Sequence, residues 1–126
     1  MGPGALDDPR EFLRQVVAGL FGARADAAGG RFELAPWIPE GWRAMALRRL
    51  RCHRTLLSVD VRPRAEWVTV RLEVSFGPAI PLVLSVRNVG PVYGTTVDEV
   101  ALLGGRAIFT LQGQHEVVFF LGGERP

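Results

Sequence analysis

Along most of the chain, apolar and polar residues alternate at a period of two. The clearest run is Val68, Val70, Leu72, Val74 and Phe76, interleaved with Thr69, Arg71, Glu73 and Ser75. That is the pattern of a strand with one face buried and the other in water. Over 55–62, Leu57, Val59 and Val61 take one face and Ser58, Asp60 and Arg62 the other. Phe32 and Leu34 alternate with Arg31 and Glu33 in a short strand that Pro36 ends. Strands are also predicted over 43–52 and 116–121. Residues 80–87 are apolar on both faces, as a central strand requires. The segments 96–103 and 106–111 flank Gly104-Gly105, a hairpin signal.

Ahead of these strands the period is helical. Phe12, Val16 and Leu20 recur with Leu13, Val17 and Phe21 beside them. Asp7 or Asp8 supplies a cap for the first free amides, Pro9 suits the first turn, and Gly22 is a stop. A short helix is therefore predicted over 7–22, then a connector over 23–30, strands over 31–121 and a tail over 122–126, all in one domain spanning 1–126. Pro36, Pro39 and Gly41 make 36–42 a loop without regular pairing. Residues 63–66 and 88–91 read as turns. Turn signals recur roughly every 8–12 residues, as in a sandwich. The expected class is mainly β: an antiparallel β-sandwich of about 7–9 strands preceded by one short N-terminal α-helix.

Composition agrees with a folded domain and removes several functions. The chain has 126 residues, 48% hydrophobic and 22% charged, enough for one core without covalent staples. No apolar run nears the roughly 18 residues of a membrane span, and no basic start resembles a secretory leader; a cytoplasmic protein is expected. A single cysteine excludes an intrachain disulfide. Cys52 and His53 are neighbours, so on a strand they point to opposite faces and cannot ligate one metal. A buried Cys52, a surface His53, no metal and no cofactor are expected.

Nor does a catalytic constellation stand out. Ser58, Ser75 and Ser85 sit on predicted strands, outside any Gly-x-Ser-x-Gly. Gly29-Gly30 and Gly104-Gly105 feed strands, whereas phosphate cradles feed helices. Asp7 and Asp8 read as caps, and Asp98 and Glu99 as neighbours on opposite faces of a strand. All fifteen basic residues are arginine, set among thirteen acids. The densest basic stretch, Arg43, Arg48, Arg49, Arg51 and Arg54, has no aromatic between its members for base stacking. Pairing with Asp60, Glu66 and Glu73 across the sheet is expected, and no nucleic acid. Trp37, Trp42 and Trp67 remain as candidate sugar-stacking residues.

Three strings carry a resemblance. Gly19-Leu20-Phe21-Gly22-Ala23-Arg24-Ala25-Asp26 comes first, then Gly30-Arg31-Phe32-Glu33-Leu34-Ala35-Pro36, then Ile38-Pro39-Glu40-Gly41-Trp42. With Leu47-Arg48-Arg49-Leu50-Arg51-Cys52 following, the order resembles the C-terminal region of glycogen-debranching-enzyme-like glycoside hydrolases. There the last helix of an (α/α)6 barrel leads into a small β-sandwich. The likeness covers about residues 12–75, and 76–121 in strand pattern only. The barrel and its catalytic carboxylates have no counterpart here, so no catalytic residue carries over. The resemblance implies a non-catalytic accessory module in carbohydrate metabolism that acts through protein contacts; the alternative it leaves is a carbohydrate-binding module. The chain opens on its own Met1, as if the sandwich were encoded alone. Without a barrel, Phe12, Leu13, Val16, Val17 and Leu20 form a candidate interface. The partner expected there is a second copy, as a homodimer, or a barrel-type glycosidase subunit; polysaccharide is the other candidate, with no membrane.

Overall fold

The computed structural model describes residues 20–26, 31–52, 54–102 and 104–122. The period-two segments become strands in two sheets. The smaller sheet contains β1 (Arg24–Asp26), β2 (Arg31–Leu34), β6 (Ile80–Leu84) and β9 (Ala107–Leu111), in the order β1-β2-β6-β9. The larger contains β3 (Met45–Cys52), β4 (Thr55–Pro63), β5 (Trp67–Phe76), β7 (Val92–Val97), β8 (Val100–Leu102) and β10 (Gln114–Leu121), in the order β3-β4-β5-β10-β7-β8. The expected β-sandwich is thus present. Its ten strands slightly exceed the expected number, because three residues of the predicted connector pair with β2 as β1.

Alternation decides which side chains meet between the sheets. Leu57, Val59 and Val61 of β4, Val68, Val70 and Leu72 of β5, and Val117 and Phe119 of β10 are buried from the large sheet. Phe32, Leu34, Ile80, Leu82, Leu84, Ala107 and Leu111 meet them from the small one. Their polar neighbours along each strand face outward, as a half-solvated antiparallel sheet requires. The alternation fails at the end of β5. Phe76 is 70% exposed, where the β4–β5 register shifts between Leu56 and Leu57.

Three expectations need correction. First, the chain is not antiparallel throughout: β2 and β6 run parallel, with Phe32 beside Leu82 and Leu34 beside Leu84. The pairing continues past the strands. Leu34 O accepts from Ser85 N at 3.0 Å, Pro36 O from Arg87 N at 2.8 Å, and Ile38 N donates to Arg87 O at 3.0 Å. Much of the predicted 36–42 loop is therefore backbone-paired, because Pro36 and Pro39 leave the other amides and carbonyls free to bond.

Second, Gly104-Gly105 does not close a hairpin. The chain leaves β8 in the large sheet and enters β9 in the small one, where β9 pairs with β6. Third, Asp98 and Glu99 are not strand residues. Val97 pairs with Val100, and Asp98 and Glu99 form the two-residue turn between them, with φ of 51° and 71°. Both values lie in the left-handed region of a type I′ turn, whose twist matches the flanking strands. The usual glycine of such turns is missing, so the sequence hides this one.

Of the helix expected over 7–22, all but the last positions lie outside the described residues. Leu20 and Phe21 pack on the sandwich core, and their carbonyls accept from Trp37 N at 2.7 Å and Ala35 N at 2.8 Å. Among the described residues no helix is long and apolar enough to cross a membrane.

Candidate functional site

One end of the sandwich is shaped by the loop 38–43, the turn 63–65 and the turn 88–90. Together they enclose a groove of about 380 Å³ lined by Glu40, Trp42, Arg43, Arg64, Asn88 and Leu121, among others. The segments are tied together by side chains that donate to backbone carbonyls. Asn88 Nδ2 donates to Ile38 O at 2.8 Å, and Arg64 Nη1 donates to Arg43 O at 3.1 Å. Arg64 N also donates to Trp67 O at 2.8 Å. Trp42 is 50% exposed and lines this groove. Sequence reading singled out Trp42 but missed Arg64 and Asn88. These lie more than twenty residues away along the chain, and only the meeting of two strand ends brings them there.

The other two candidate tryptophans stand elsewhere. Trp37 does not line the groove. The Arg87 guanidinium lies 5.8 Å from its ring centroid, while Arg87 Nε donates to Ala35 O at 2.6 Å. That geometry gives Trp37 a packing role beside its exposure. Trp67 opens β5 on the outer face of the large sheet, opposite Phe120, whose ring lies 6.2 Å from Tyr93. Of the candidate interface, Leu20 is half-buried against the core; Phe12, Leu13, Val16 and Val17 lie outside the described residues.

The outer face of the large sheet also carries a shallow depression of about 190 Å³, lined in part by Arg48, Ser58, Asp60, Arg71, Glu73 and Gln114. Ser58 sits opposite Glu73 and Asp60 opposite Arg71. Asp60 and Glu73 are therefore diagonal neighbours, on the order of 7–8 Å apart. Sequence reading did not pair these carboxylates, because only the β4–β5 register sets them side by side. Ion pairs take up one of the two carboxylates and the arginine beside them: Arg62 Nε reaches Asp60 at 3.0 Å and Arg71 Nε reaches Glu116 at 2.9 Å. A general acid instead needs an apolar wall to hold its proton.

The basic stretch differs from expectation. Asp60 is taken by Arg62 of its own strand. Arg43, Arg48, Arg49, Arg51 and Arg54 are all exposed. Among the described residues, none of their side chains makes an ion pair or hydrogen bond. Cys52 at the end of β3 is buried, and loss of water around it pushes the thiol up to about 12. It stays protonated and unreactive near neutral pH. The side chain of His53 lies outside the described residues. No cluster of three or more His, Cys, Asp or Glu among the described residues could hold a metal ion.

The other histidine belongs to a latch across the large sheet. Gln112 N donates to His115 Nε2 at 3.1 Å, which leaves the ring proton on Nδ1, 2.7 Å from Asp98 Oδ2. Asp98 Oδ1 accepts from Glu116 N at 2.9 Å. The backbone bond from Glu116, then the one from His115, hold the Asp98 carboxyl below its ordinary 3.8. A depressed carboxyl stabilises the fold above its ordinary value and loses that contribution as the pH falls through its lower folded value. Asp98→Asn keeps a residue that tolerates positive φ but removes the charge. It should lower stability at pH 7 by less than about 1 kcal/mol, since the carboxylate is half in water. Urea midpoints measured against pH should show the gap to wild type closing as the pH falls below the carboxyl's ordinary 3.8; a gap independent of pH would exclude this role.

Residues 26–87, which run from the end of β1 to just past β6, match the glycosyl hydrolase family 65, C-terminal domain. No curated protein matches the chain.

Proposed function

We propose that this chain, which matches the glycosyl hydrolase family 65, C-terminal domain over residues 26–87, is a non-catalytic module of carbohydrate metabolism that acts through protein contacts. The match carries the reading. It covers β2 to β6 of the sandwich, and among the described residues there is no catalytic barrel. Two features support it. On the open face of the large sheet, Asp60 and Glu116 are bound into ion pairs. Leu20 and Phe21, which end the apolar row begun by Phe12 and Val16, are anchored on the core. The helix that the sequence predicts over 7–22 would carry apolar residues on adjoining stripes, more surface than one sandwich covers, and a second copy using the same patch is the commonest complement.

Sedimentation velocity at tens of micromolar tests this. The wild-type chain should run as a dimer, and Phe12→Asp with Val16→Asp should run as a monomer. A wild-type monomer with no co-purifying subunit would overturn the reading. A second reading, sugar binding, is favoured by Trp42, half-exposed over a groove that also offers Glu40, Arg43 and Arg64. Adding a soluble α-glucan to the same run separates the two, since only the second reading expects co-sedimentation that Trp42→Ala abolishes.

A further inference from the structure

We propose that the free edge of β3 is a docking surface for an acidic, extended protein segment. The proposal rests on the reading of the module as one that works through protein contacts, and names the chemistry of a partner. β3 is the outermost strand of the large sheet. One of its sides pairs with β4; among the described residues no strand pairs with the other, which offers N–H and C=O groups on either side of an irregularity between Leu47 and Leu50. Those groups match the backbone of another extended polypeptide.

Charge selects the kind of polypeptide. Arg48, Arg49 and Arg51 lie on this strand, with Arg43 and Arg54 just beyond its ends. Arg24, Arg62 and Arg71 each hold a carboxylate; these five hold none among the described residues. The edge is thus a row of arginines without a directly bonded carboxylate among the described residues, in a chain whose net charge is only +2. The β3–β4 register shifts between Leu47 and Leu50. Within this irregularity Arg49 takes a φ of 61°, a conformation that arginine adopts only under strain. The irregularity sets two adjacent guanidiniums in water, where regular pleating would send one inward.

Charged side chains on an edge also discourage aggregation, and nucleic acid is the other polyanion to consider. The 43–54 stretch contains no aromatic ring on which a base could stack. The outward backbone groups and the guanidiniums together favour a polypeptide bearing carboxylates at every second residue, on the side facing Arg48, Arg49 and Arg51.

Fluorescence anisotropy with a labelled ten-residue peptide of alternating Glu and Thr tests the proposal, with an oligothymidylate of equal charge as the second probe. At low salt the wild-type chain should bind the peptide. The triple variant Arg48→Gln, Arg49→Gln, Arg51→Gln should weaken that binding at least tenfold. Removing three arginines elsewhere, with Arg24→Gln, Arg62→Gln, Arg106→Gln, should change it less than threefold. Arg51→Gln alone should show a smaller loss, so the test survives a triple variant that misfolds. No peptide binding by the wild type, equal losses in both triple variants, or tighter binding of the oligothymidylate would overturn the proposal. A protein that dimerises in sedimentation yet ignores the peptide would fail this inference while keeping the broader reading.

Discussion

Replacing Phe119 with alanine should lower the free energy of unfolding by about 3–5 kcal/mol. Phe119 lies on β10, which has β5 on one side and β7 on the other, and its ring is 0% exposed. It pairs with Val68 and with Thr95, both buried. Truncation removes the transfer energy of an aromatic ring and leaves a cavity between two hydrogen-bonded sheets that cannot collapse to fill it. Phe120 is the internal control. It is the next residue, but it faces outward and is only half-buried, so Phe120→Ala should cost about 1 kcal/mol or less. Urea denaturation of both variants checks the contrast. Similar costs at the two positions would mean that the sheet interface is not where the alternation puts it.

The second large effect is expected at Gly77. Gly77→Ala should destabilise the protein by about 2–3 kcal/mol, from backbone strain and collision together. Gly77 has a φ of 110°, where an L side chain is strained. A Cβ there would also run into the carbonyl oxygen of Arg54 and lie 2.7 Å from Thr55 Cα. Both neighbours are backbone, and Thr55 is pinned by its hydroxyl, which donates to Pro78 O at 2.6 Å. Neither can rotate away. Gly113, with a φ of 77° and open space around it, separates the two terms: Gly113→Ala should cost only about 1 kcal/mol. Thermal melts of the two variants should therefore differ. Equal midpoints would show that the 54–55 backbone yields to the new methyl.

The candidate site was partly legible before the structure. Trp42 was marked by its aromatic character in a loop, and the arginine stretch by its density. What those arginines do was misread, because pairing depends on which strands become neighbours. Asp60 was assigned to β3, yet Arg62, two residues along its own strand and on the same face, reaches it first. Arg64 and Asn88 reach the groove through β4 and β6, and no local pattern announces either. Asp98 and His115 are seventeen residues apart and meet only because β7 and β10 are adjacent in the large sheet.

By itself the sequence determined what each residue does across the thickness of the molecule. Alternation sends Leu57, Val59 and Val61 inward and Ser58, Asp60 and Arg62 outward, whatever strand lies beside them, because successive side chains of a strand point to opposite faces. Prolines and glycines likewise placed most of the turns, since their backbone limits are local. Tertiary structure alone decided the lateral order. The parallel meeting of β2 with β6, the passage from β8 to β9 across the sheets, and the hairpin that closes on Asp98 and Glu99 all join segments by backbone hydrogen bonds. Those bonds are the same for every residue type and carry no sequence label. Which strands pair is settled by how the two buried faces fill one another, and that is a property of the whole chain.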